Sequence, residues 1–199
     1  DVLGGQVASM RSMFRISPLL LAVLTPLVTM PLLAEERRSG TIELLLTSPL
    51  TDFQIIIGKF LGVMALYALM LSLTLIHIGV LFWYAEPEWG PVLSGYLGLL
   101  LMGGSFISIG LAISSMTKNQ IVAGVSTFAV LLLFWIINWM GDAFGPTTQS
   151  VLAYLSILEH FDDFSKGVID TTHLTYYVSF ITLGLFLTAK SMDVARWNG

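Results

Sequence analysis

Five apolar stretches free of Asp, Glu, Lys and Arg run along the chain: Ile16 to Ala34, Phe60 to Tyr84, Val92 to Met116, Ile121 to Met140, and about Leu174 to Ala189. A helix needs about 20 apolar residues to cross roughly 30 Å of hydrocarbon. The runs are unbroken, whereas barrel strands would alternate over about ten residues. The pattern therefore predicts an all-α, polytopic membrane helix bundle with five transmembrane helices.

The connection from Glu35 to Lys59 has more organisation than a tether requires. Glu35, Glu36, Arg37 and Arg38 mark the exit from the first span, and Gly40 permits a sharp turn. Ile42, Leu45 and Leu46 then fall at i, i+3 and i+4, one face of a short helix, with Glu43 and Thr47 on the other. Pro49 ends that helix. Thr51 with Gln54 reads as a capping box that starts a new helix through Ile55, Ile56 and Ile57 into the second span. This predicts a short amphipathic helix, either resting on lipid headgroups or docking its apolar face into a groove on a partner. A second long connection, 141–173, carries an apolar helical stripe of Val151, Leu152, Leu155, Leu158 and Phe161.

Composition supports the membrane reading. Of 199 residues 55% are hydrophobic and 11% charged, far from the soluble average. The net charge of −4 argues against nucleic acid, which requires a basic face. The absence of cysteine removes disulfides, thiolate metal sites and thiol nucleophiles. The chain opens on Asp1 without a signal-peptide pattern, and the expectation is a fragment preceded by a further span.

Lys and Arg set the orientation, because short cytoplasmic loops carry their excess. With the 35–59 connection inside, the inside collects Arg37, Arg38, Lys59, Lys118, Lys190 and Arg196, against Arg11, Arg15 and Lys166 outside. The expected C-terminus is cytoplasmic. Trp83, Tyr84, Trp89 and Trp139 fall at the outer boundaries, where aromatic anchors belong.

Candidate chemistry is sparse. No G-x-x-x-x-G-K-[ST] phosphate loop is present, so energy from ATP would come from another chain. His77 is the one ionisable side chain well inside a predicted span, and no carboxylate lies in another span to complete a proton relay. A hydrogen bond to a neighbouring helix is the simpler role. Gly104, Ser108 and Ala112, at four-residue spacing, fit close helix packing or a substrate path. Pro26 and Pro31 can bend the first span. His160, Asp162 and Asp163 invite a metal reading, but on an exposed stretch they are expected to be solvated. No catalytic or metal-binding set is expected.

Three stretches together carry a family resemblance: Glu35 to Pro49 with Gly58-Lys59, Ser114 to Gln120, and His160 to Asp170. They are similar to ABC-2 type transporter permeases, most closely the gliding-motility-associated branch. The resemblance spans nearly the whole chain and implies a single transmembrane domain over 1–199 that lacks the first of six family helices. It implies a permease subunit of an exporter in the cytoplasmic (inner) membrane, not an enzyme, with ATP and Mg held by a separate ABC ATP-binding subunit. Partners would be that subunit, a second permease half and membrane lipid. The resemblance assigns subunit coupling to Glu35, Glu36, Arg37, Arg38, Gly40, Thr41, Ile42, Glu43, Leu45, Leu46 and Pro49. An ion-coupled secondary transporter and a non-transporting scaffold of a surface or motility machine are the alternatives.

Overall fold

In the computed structural model the described residues are 2–46, 49–84, 89–141, 152 and 154–197. Among them the regular elements are helices: α1 (Val2–Thr29), α2 (Pro31–Ser39), α3 (Thr41–Leu46), α4 (Asp52–Tyr84), α5 (Trp89–Met116), α6 (Gln120–Gly141), α7 (Ile157–Ser165) and α8 (Thr171–Trp197). Four stretches are long and apolar enough to cross a membrane: Ile16–Ser39, Asp52–Val80, Trp89–Met116 and Gln120–Ile137. The fifth predicted span lies within α8 but is not among these four. Hydroxyl residues dilute its apolar character, and they return their hydrogen bonds to the helix itself: Thr175 donates to Thr171 O, Thr182 to Val178 O and Thr188 to Gly184 O.

The bundle is organised around α5, which is 72% buried over its apolar window where α4 is 6% buried. Glycines explain the difference, since a backbone without Cβ lets a neighbour approach closely. The Phe14 ring of α1 lies where a Cβ on Gly95 would project, Phe164 of α7 does the same at Gly98, and the Tyr67 ring of α4 at Gly103. In the reverse sense, Gly184 of α8 receives Ser108 of α5. One apolar cluster gathers Phe14, Leu99, Met102, Phe106, Phe161, Phe164 and Tyr177. A second gathers Leu33, Ile55, Ile56, Phe60, Ile107, Leu111 and Met192.

The prolines of the first span act differently from one another. Across Pro26 the helix continues, and Met30 N still donates to Pro26 O at 2.9 Å. At Pro31 the helix breaks and α2 begins, because Pro31 has no N–H to give. Ser114 of α5 repairs the break. Its hydroxyl donates to Met30 O at 2.9 Å and accepts from Leu33 N and Ala34 N, both at 3.1 Å. A side chain from another helix thus performs the N-capping that α2 cannot supply itself.

Along α4 polar ties are few. Tyr67 OH donates to Leu99 O at 2.8 Å, and Thr74 Oγ1 pairs with Tyr96 OH at 2.6 Å, both on α5.

Candidate functional site

The Glu35–Lys59 connection folds largely as its sequence predicts. Gly40 ends α2 in the left-handed region at φ 76°, which only glycine enters without steric penalty. Ser39 Oγ lies 2.8 Å from Thr41 Oγ1 across that turn. α3 follows, then the bend at Pro49 and Leu50. Thr51 N donates to Gln54 Oε1 at 2.9 Å and Gln54 N to Thr51 Oγ1 at 3.3 Å, the reciprocal pair of a capping box.

Three consecutive charged residues of α2 each reach a different helix. Glu35 accepts from Gln120 Nε2 at the start of α6. Glu36 Oε1 accepts from Lys59 Nζ of α4 at 2.6 Å. The Arg37 guanidinium donates to Ser191 O at 3.1 Å and to Ser191 Oγ at 3.3 Å on α8. Ser191 Oγ in turn donates to Ser115 O of α5 at 2.9 Å. Steps of about 100° per residue point neighbouring side chains in different directions, so a run of adjacent charges at one level becomes a collar around the bundle. Arg38 is exposed.

The apolar positions of α3 are not all placed alike. Ile42 is half-buried, and Leu45 packs against the second apolar cluster, where it leaves water at the expense of the bundle's own surface. The Leu46 side chain and Thr47 lie outside the described residues. Leu44 turns outward and is 75% exposed, with Leu50 and Phe53 beside the following turn at 50% and 67%. Glu43, Thr41 and Pro49 are exposed as well. Leu44 escaped the sequence reading because the i, i+3, i+4 pattern assigns it to neither face.

The other singled-out positions fall elsewhere. Gly104 is buried against Ile181 of α8, with the Met64 sulfur of α4 next nearest, Ser108 meets Gly184, and Ala112 is buried. His77 is exposed on α4 rather than directed into the bundle.

His160 corrects the expectation of a solvated side chain. It is 5% exposed, stacked on Tyr176 with centroids 3.9 Å apart, and bonded to His173 of α8, a residue the sequence reading did not consider. Asp162 stays exposed and pairs with Lys166 at 2.5 Å. Among the described residues no three of His, Cys, Asp and Glu converge as a metal site would require. Val151 of the predicted stripe lies outside the described residues, Leu155 is exposed, and Phe161 enters the first cluster.

Comparison with known proteins gives the arrangement a family. Residues 6–141 match the family described as ABC-2 family transporter protein. The chain is also 31% identical over 159 residues to the "Probable multidrug ABC transporter permease YbhR" of Escherichia coli strain K12, and equally to that of Escherichia coli O157:H7, with 76% of this chain covered. It spans 42% of the length of these relatives. Their printed name is that of a multidrug permease rather than of the gliding-motility branch. The chain therefore belongs to the ABC-2 transporter family, as a multi-pass, membrane-spanning permease domain.

Proposed function

We propose that this domain is the membrane half of an ATP-driven exporter and that α2 and α3 receive the movement of a separate ATP-binding subunit, which holds ATP and Mg. The observation that carries this reading is the collar: Glu35, Glu36 and Arg37 tie the element before α3 to α6, α4 and α8. A push on α3 is thereby delivered to three bundle helices at once, which a simple tether could not do. Leu45 anchors α3 to the bundle, and Leu44, Leu50 and Phe53 supply an apolar surface for the partner's groove. The excess of Lys and Arg on this side fits a cytoplasmic position in the inner membrane, with the C-terminus on the same side. A second permease half completes the transporter. The cargo is drug-like, in keeping with the relatives' printed name.

The decisive experiment compares Leu44→Asp with the parent in a membrane preparation co-expressing the ATP-binding subunit. Truncating or charging an interface anchor costs about 2 kcal/mol or more, roughly a 30-fold loss of affinity. Leu44→Asp should abolish co-purification of the ATPase while the permease still inserts. Undiminished co-purification and transport would remove the coupling assignment.

A further inference from the structure

At the opposite end of the bundle from the collar, α7 and the start of α8 meet through four imidazole nitrogens whose proton count is set by their partners. His160 Nε2 faces Tyr154 O at 2.9 Å, and a carbonyl only accepts, so this nitrogen carries hydrogen. His173 Nε2 faces Asp163 Oδ2 at 2.9 Å, and an ionised carboxylate likewise only accepts. The two Nδ1 atoms lie 2.6 Å apart, which requires one hydrogen between them. That makes three N–H groups on two rings, where two neutral imidazoles hold two. The pair therefore bears one positive charge, balanced by Asp163.

We propose that His160 and His173 share this single proton and so form a pH-sensitive latch fastening α7 to α8. Asp163 lies against His173, while His160 is the more deeply buried ring of the pair. When pH rises and the shared proton leaves, two lone pairs face each other at a separation that only a hydrogen bond tolerates. When pH falls far enough to charge both rings, two N–H groups face each other instead. The latch holds in the window between and opens on either side.

The surroundings are compatible with this assignment. Burial pushes the His160 pKa down, opposed by the bond to Tyr154 and by Glu159 and Asp163, so the acid limb lies below the ordinary histidine range of about 6.5. By sign, a depressed histidine contributes its stability while neutral and loses it as pH falls through the folded value. Other titratable groups near the pair are Asp162 of α7, Lys166 and Asp170 of the following turn, and Tyr154, Tyr176 and Tyr177. Among them Asp170 is held below the usual carboxylate range by the Thr172 N–H. α5 brings Tyr96, and α6 contributes no ionisable residue. Arg11 and Arg15 of α1 have side chains outside those described. The neutral ties Tyr176 OH to Leu155 O and Tyr177 OH to Ile157 O, each 2.8 Å, do not titrate with the pair and keep the start of α7 in place when the latch opens.

The test uses the unaltered chain in lipid nanodiscs, labelled with ¹⁵N-histidine and followed by NMR from about pH 4 to about pH 9, a range that brackets the ordinary histidine pKa. A nitrogen–nitrogen coupling across the Nδ1–H···Nδ1 bond should appear in mid-range and vanish at both ends. Amide exchange of residues 157–170, corrected for its intrinsic pH dependence, should slow by about tenfold where the coupling is present. His173→Phe should remove that extra protection. Absence of the coupling at every pH, or protection of 157–170 that does not follow it, overturns the proposal, and the wild-type measurements decide even if the variant does not fold.

Discussion

Lys59 Nζ donates to Glu36 Oε1 at 2.6 Å, joining the second turn of α4 to the middle of α2 across 23 residues of sequence. Both side chains are about one-fifth exposed, 21% and 24%, so the pair lies between a screened surface bridge and a buried one. Lys59→Ala leaves the Glu36 carboxylate without its cation and should lower stability by about 1–3 kcal/mol. Glu36→Gln combined with Lys59→Met should cost less than the sum of the single changes. Thermal unfolding in detergent, arranged as a double-mutant cycle, reads the coupling directly; an additive cycle would show that the two do not interact.

Ser114→Ala removes the cap that α5 lends to α2 and strands Met30 O, Leu33 N and Ala34 N. The expected loss is about 1–2 kcal/mol, comparable to deleting an N-cap within one helix. Proteolysis after Arg37 or Arg38 should accelerate as the break at Pro31 loosens. Equal cleavage rates for variant and parent would mean the break is held by packing alone.

Glycines in the bundle should separate into two classes. A Cβ on Gly184 would lie 2.5 Å from Ser108 Oγ and 2.8 Å from the Ser108 backbone, so Gly184→Ala should destabilise by about 1–3 kcal/mol. Gly62 has nothing within 4 Å of its added Cβ, and Gly62→Ala should be neutral or gain up to about 1 kcal/mol of helix propensity. Melting temperatures of the two variants side by side decide whether close approach or mere composition accounts for these residues.

The natural absence of cysteine makes topology easy to probe. Single cysteines at Ser39 and Asn119, both exposed, should resist an impermeant thiol reagent in intact cells, and one at exposed Asp162 should react. Labelling of Ser39 from outside would reverse the orientation and remove α3 from reach of a cytoplasmic ATPase.

Local features were the ones legible before the structure. Gly40, Pro49 and the Thr51–Gln54 cap act within a few residues of themselves, so their spacing alone predicts the turn, the stop and the start. The partners of the charged quartet were not legible, because Gln120 and Ser191 lie 85 and 154 positions from the residues they bind. His160 was noticed with its sequence neighbours Asp162 and Asp163, whereas its actual partner His173 comes from the next helix. Spacing likewise placed Leu45 on an apolar face without saying which body that face would cover. The hydroxyl residues of α8 give that stretch the weakest apolar signal of the five, and their bonds back to the helix were legible only in the structure.

The polar ties of α4 have a mechanical consequence. Lys59, Tyr67 and Thr74 are spaced eight and seven residues apart, which at about 100° per residue keeps them within a sector of about 80° on one side of the helix, and they extend over about 22 Å of its length. Outside that sector this rod is exposed at Leu61, Leu66, Leu69, Leu73 and Ile76. It is fastened along one side: sliding lengthwise would break all three polar ties together, whereas a swing about that side would disturb them least. The easiest motion of α4 is thus a swing of its exposed face about the fastened side.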